Sequence, residues 1–280
     1  MNIKTIVVHL DATPRCPARI DLAIRIAAAH GAHLVGLAPT GLPDVLATMS
    51  SAVPDGVEFI ALSARLLRER ADTAAGDFGE RARAAGVASH EARVVVDEPL
   101  DAMVRHALCS DLLVVGQTDR RASPDGVPWD FPQQAVLHAG CPVLVVPHAG
   151  HFSTVGERVL IAWKGTRESV RAVRDALPIL RGAQRVVLIE VADDAPPTDA
   201  QRVALLEVQA WLNRHGVESE VRLESGAEAA GDVLLSRASD FESDLIVMGA
   251  YGHSRVREWV LGGVTRHLLN HMTVPTLMSH

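Results

Sequence analysis

The feature that most constrains the fold is an internal repeat. SDLLVVGQ (Ser110–Gln117) returns as SDLIVMGA (Ser243–Ala250), and CPVLVVP (Cys141–Pro147) returns as VPTLMSH (Val274–His280). The spacings agree, since 243 − 110 and 274 − 141 both give 133. Two matches at one offset mark a duplicated domain. The opening segments IVVHLDAT (Ile6–Thr13) and VLIAWKGT (Val159–Thr166) match at 159 − 6, or 153. The difference, 153 − 133, assigns 20 extra residues to the first half. PTGLPDVLATMSSAVPDGVEF (Pro39–Phe59) is the expected place for them.

Each half alternates short Val/Ile/Leu runs with amphipathic segments. RVLIAW, RVVLIEV, VESEVRL, DLIVMG and VPTLMS read as strands. TRESVRAVRDALPIL, TDAQRVALLEVQAWLNRHG, GDVLLSRASDF and VTRHLLNH read as helices between them. Continuous apolar strands separated by helices predict an α/β fold, with a parallel sheet covered by helices on both faces. In TRESVRAVRDALPIL the periodicity puts Val170, Val173, Ala176, Leu177 and Leu180 on the core face. The expected units are residues 1–147 and 158–280, joined by a linker over 148–157.

Charge and cysteine content narrow the function classes. With a net charge of −7 the chain has no general attraction for nucleic acid. Cys16, Cys109 and Cys141 form no CxxC pair, which fits a reducing compartment and neither a disulfide framework nor a zinc knuckle. The opening MNIKTIVVHLD reads as a strand closed by an acid, and no apolar run reaches the ~20 residues of a membrane span. The expected compartment is the cytoplasm, with no membrane partner.

In a doubly wound sheet, ligands bind beyond the carboxyl ends of the strands, where strand order reverses. Asp11 and Lys164 close the first strand of each half, and Gly116 and Gly249 close the fourth. After Gly249 the chain reads GAYGHSRVREWVLGGVTRHLL, with Gly252, Gly262 and Gly263 completing a glycine-spaced loop that leads into a helix. Backbone N–H groups before a helix N-terminus favour anions.

DLIVMGAYGHSRVREWVLGGVTRHLLNHMTVPTLM (Asp244–Met278) follows a G-x2-G-x9-G pattern, and LIAWKGTRESVRAVRDALPIL (Leu160–Leu180) supports it. On these residues the chain resembles a tandem universal stress protein, with two UspA-type domains in one polypeptide. The resemblance implies two tandem doubly wound domains of the adenine-nucleotide alpha hydrolase-like fold, each with a five-stranded parallel sheet. It implies an intramolecular pseudo-dimer and leaves a further homodimer open. It also implies ATP as the ligand of those members that bind a nucleotide, with an acid at the end of the first strand and the glycine loop on the phosphates.

Carried over by position, the ligand set is Gly249, Gly252, Gly262, Gly263, Val264 and Thr265, with Lys164 and Asp11 at the two strand ends. The set is divided between the halves. Gly263 stands where a hydroxyl residue is expected, and Lys164 where the acid is expected. The first half keeps Asp11 but has Asp119, Trp129 and Asp130 in its loop positions.

Other groups have competing readings. His267 and His271 stand four residues apart, a spacing that suits zinc, yet no acid or cysteine completes a motif. Trp163 and Trp259 are candidates for packing or for stacking on a base. No nucleophile elbow or P-loop is present, so a dedicated enzyme is not expected. Three roles stay open: a regulatory protein that binds ATP or another adenine nucleotide, a scaffold for an apolar or metal ligand, and a weak ATPase.

Overall fold

The computed structural model describes residues 2–42, 56–118, 127–192, 198–225, 229–252 and 263–280. Two compact units emerge, one over Ile3–Cys141 and one that takes in Pro142–His280.

In the first unit the order is β1 (Thr5–His9), α1 (Cys16–His30), β2 (His33–Pro39), α2 (Gly56–Ala84), β3 (His90–Val95), α3 (Pro99–Ala107), β4 (Leu112–Gly116) and α4 (Phe131–His138). The strands pair in the order β3-β2-β1-β4, all parallel. Helix α1 packs with α2, and α3 with α4.

The second unit begins with β5 (Val143–Val146) and β6 (Arg158–Trp163), followed by α5 (Arg167–Leu180), β7 (Arg185–Ala192) and α6 (Asp199–Arg214). Next come β8 (Glu220–Ser225), α7 (Ala230–Asp240), β9 (Leu245–Gly249), α8 (Gly263–His271) and β10 (Thr276–Ser279). Here β10-β9-β6-β7-β8 form the expected five-stranded parallel sheet. β5 adds to its edge, antiparallel to β10, with Val143 opposite Met278 and Val145 opposite Thr276.

The central strands are apolar on both sides because helices cover both faces. Ile6, Leu112, Leu113, Leu160, Ile161 and Ile246 have essentially no exposure. Each such side chain contributes roughly 1.5–3 kcal/mol on burial. Among the described residues no helix is long and apolar enough to cross a membrane.

The repeated SDL motif has a structural cause. Asp111 accepts the backbone N–H groups of Lys4 (2.7 Å) and Thr5 (2.9 Å). Asp244 does the same for Gly156 (3.0 Å), Glu157 (3.1 Å) and Arg158 (2.9 Å). In each half the carboxylate before the fourth strand fastens the start of the first.

Two sequence expectations shift. Pro39 ends β2 and residues 43–55 lie outside the described residues, but Gly56–Phe59 already belong to α2, which has 29 residues against 16 in α6. Much of the extra length is therefore helix, because the sequence from Val57 to Arg70 has no glycine or proline to stop it. In α5 the buried face is Glu168, Ser169, Ala172, Val173, Ala176, Ile179 and Leu180, while Val170 and Leu177 are half-buried. The cause is the first turn of α5, whose backbone lies against Gly249 and rotates small residues toward the sheet.

Candidate functional site

From β6 the second half proceeds to β7 and β8 on one side, then crosses back to β9 and β10 on the other. The carboxyl ends of β6 and β9 therefore flank the point where strand order reverses. A cavity of about 320 Å³ lies there. That is near the lower end of the roughly 300–1,000 Å³ typical of small-molecule sites. Ile189, Val191, Leu234 and Met248 supply apolar wall, and Lys164, Thr166 and Ser169 supply polar wall.

Of the residues expected to bind ligand, Lys164, Gly249, Gly252, Gly263, Val264 and Thr265 all line this cavity. Gly262 lies outside the described residues, as do His253, Ser254, Arg255, Arg257 and Trp259. Trp163 is half-buried and lines the cavity. It also lines a neighbouring apolar groove with Val170, Val173 and Trp211.

The glycines differ in what they are needed for. A Cβ on Gly249 would stand 2.5 Å from the backbone of both Glu168 and Ser169. One on Gly252 would stand 2.8 Å from Glu168 Oε2 and 3.2 Å from Thr166 Oγ1. Gly249 is thus reserved by packing against the backbone of α5, whereas at Gly252 the nearest atom is the end of the Glu168 side chain. At Gly263, by contrast, a Cβ would meet no atom of the described residues within 4 Å.

The hydroxyls order the same region. Thr166 caps α5 by accepting the Ser169 N–H at 3.3 Å, and Ser169 Oγ accepts the Lys164 N–H at 3.3 Å. Thr265 is buried, and its hydroxyl oxygen accepts the Tyr251 N–H at 3.4 Å, tying the loop to α8. Tyr251 itself has φ +61°, a left-handed conformation unusual for a residue with a side chain.

Asp11 lies in the other unit, in different surroundings. Its carboxylate pairs with the buried Arg19 guanidinium at 2.8 Å and accepts both the N–H (3.0 Å) and the hydroxyl (2.6 Å) of Thr13. Arg19 also donates through Nε to the His9 carbonyl at 2.7 Å, and the His9 ring lies 4.9 Å from that of Phe131. By the two repeat offsets, His9, Arg19 and Phe131 stand where the second half has Ala162, Ala172 and Val264. Three larger side chains thus occupy ground that the second half leaves to small ones. The Arg19 guanidinium also packs on Gly116, so close that any Cβ there would overlap it. Trp129 is exposed and Asp130 accepts from Gln134 at 3.0 Å, while Asp119 lies outside the described residues.

Burial pushes the Asp11 carboxyl up, but Arg19 foremost, with His9 and Thr13, outweighs it and holds the pKa at about 2. A depressed carboxylate contributes stability above its unfolded pKa and loses it as pH falls toward the folded value. The contribution, about 2 kcal/mol, is therefore complete above about pH 5 and decays between pH 4 and 2. Urea unfolding across that window is expected to show a steeper acid loss for the wild type than for Asp11→Asn.

His267 Nε2 lies 2.9 Å from Asp232 Oδ1, and its ring centroid lies 4.4 Å from that of His271. Among the described residues no three His, Cys, Asp or Glu side chains gather as a metal site.

The model of the Universal stress protein family matches residues 2–147 and again 156–280. Universal stress protein Slr1230 of Synechocystis sp. is 31% identical over 140 residues, 49% of this chain and 46% of that protein. The match thus spans about half the length of that curated relative. A crystal structure of a universal stress protein from Archaeoglobus fulgidus DSM 4304 is similar over 98% of this chain and 97% of its own, with a TM-score of 0.73 at 17% identity. A functionally unknown protein from Pseudomonas aeruginosa PAO1 is similar over 99% and 92%, with a TM-score of 0.59 at 13% identity. At such identities these structures speak for the fold. The two family matches, which together cover nearly all of the sequence, place the chain in the universal stress protein family, with the family's domain present twice.

Proposed function

We propose that the protein is a regulatory or protective binding protein whose second half holds an adenine nucleotide, such as ATP, or a closely related anion. The carrying observation is that Lys164, Gly249, Gly252, Gly263, Val264 and Thr265, distant in sequence, line one cavity beside an apolar wall. The apolar residues suit a base. The N-terminus of α8 and the Lys164 ammonium suit negative charge. No atom of the described residues lies within 4 Å of a Cβ at Gly263, which suits a phosphate there. When bound, the nucleotide supplies charge and a stacking surface, and the chain's own residues position it.

In this reading the first half is a structural lobe. Asp11 is committed to Arg19 and Thr13, and the neighbouring ground is filled by His9 and Phe131. The repeat units 1–147 and 158–280 then have separate tasks.

The test is to release small molecules from freshly purified, denatured protein and to titrate the stripped, refolded protein with ATP by calorimetry. Gly263→Asp, which puts a carboxylate at the start of α8 beside the cavity, is expected to weaken ATP binding by about tenfold or more. No released nucleotide, and no heat with ATP, AMP or adenosine at millimolar concentration, would refute the reading.

A further inference from the structure

Lys164 is the one charged side chain among the described cavity-wall residues. A charge of opposite sign stands directly behind that wall. Glu168, in the first turn of α5, is only 6% exposed at its side chain, and its Oε2 lies 2.8 Å from where a Gly252 Cβ would be. Arg167 Nε donates to Oε1 at 2.6 Å. Burial raises the Glu168 pKa, but Arg167, the residue's own N–H and the Thr166 hydroxyl outweigh it, so the carboxyl titrates below its ordinary value. It is therefore ionised at neutral pH, and Gly252 is the part of the cavity wall that lies over it.

We propose that Glu168 is a specificity-determining residue that biases this cavity against triphosphates and toward nucleosides and nucleoside monophosphates. The inference rests on the reading that the cavity takes an adenine nucleotide. The carboxylate is not in the cavity wall, so it acts through its field and not by blocking space. Its repulsion grows with the charge a ligand brings near Gly252, and is nil for an uncharged nucleoside. Arg167 lies on the exposed side and is partly screened by water, whereas Glu168 is buried and screened less. The two do not cancel at the cavity. Among the described cavity-wall residues Lys164 alone offers a positive charge to set against that repulsion.

The experiment titrates ATP, AMP and adenosine, without divalent metal, into the wild type and Glu168→Gln, at low and at high salt. The substitution is expected to tighten ATP by about five- to tenfold and AMP by about two- to threefold, and to leave adenosine unchanged. The gain for ATP should shrink at high salt. Arg167→Ala supplies the opposite sign, because it uncovers the Glu168 charge; it should weaken ATP more than adenosine. It also keeps the test alive if the first variant fails to fold. Equal shifts for all three ligands, or no shift for ATP while binding persists, would overturn the selectivity role and leave the nucleotide reading intact. Failure of every ligand to bind either protein would overturn both.

Discussion

Arg19→Leu should lower the unfolding free energy by about 3–5 kcal/mol, the usual cost of leaving one member of a buried ion pair alone. The guanidinium is buried and meets the Asp11 carboxylate at 2.8 Å and the His9 carbonyl at 2.7 Å. Without it, Asp11 keeps its Thr13 contacts but loses its counter-charge, and its carboxyl must either protonate or stay ionised in an apolar place. Chemical denaturation at pH 7 reads the loss. The double variant Asp11→Leu/Arg19→Leu should recover much of it, because an apolar pair removes the need for charge compensation. A loss under about 1 kcal/mol in the single variant would mean that water reaches the pair.

Gly249→Ala is expected to cost about 3 kcal/mol, at the upper end of overpacking effects. The added methyl meets the backbone of Glu168 and Ser169 at 2.5 Å, and backbone inside a helix turn has no rotamer to change. Strand β9 and helix α5 would have to separate, and the Thr166 and Ser169 hydroxyl contacts would go with them. Gly263→Ala is the control. The same chemical change at the start of α8 meets no atom of the described residues within 4 Å and should be neutral or slightly stabilising. Thermal melts of the two variants side by side decide the matter. Similar melting temperatures would mean that the β9–α5 contact yields more easily than its geometry suggests.

Much of this arrangement is legible in the sequence, for identifiable reasons. Repeats at one offset and uninterrupted apolar strands are read directly, and they dictate the parallel sheet. The place of the candidate site follows from topology alone, since Lys164 follows and Gly249 ends the strands that flank the reversal. Polar pairing across elements is harder to read. Asp11 looked like a strand-closing acid, and the clue to its partner was Arg19 standing beside Ile20 and Ala23 on the apolar face of α1. Glu168 lay hidden because a glutamate in a first helical turn is ordinarily a solvated favourable charge. Gly249 and Gly252, whose bare backbone lies against it, stand 81 and 84 residues away. The Asp111 and Asp244 clasps could have been found, because a repeated aspartate ahead of a buried strand asks what it fastens.

The strand Val143–Val146 carries a last consequence. By ancestry it closes the first copy, since CPVLVVP is the counterpart of the chain's final segment. By hydrogen bonding it belongs beside Thr276–Ser279, whose four residues are all buried. A fragment cut at the duplication boundary would bare that margin of the sheet, and an uncovered apolar margin recruits other chains. Inheritance and cohesion thus divide this polypeptide at different places, one strand apart, and the first copy supplies the selvage of the second.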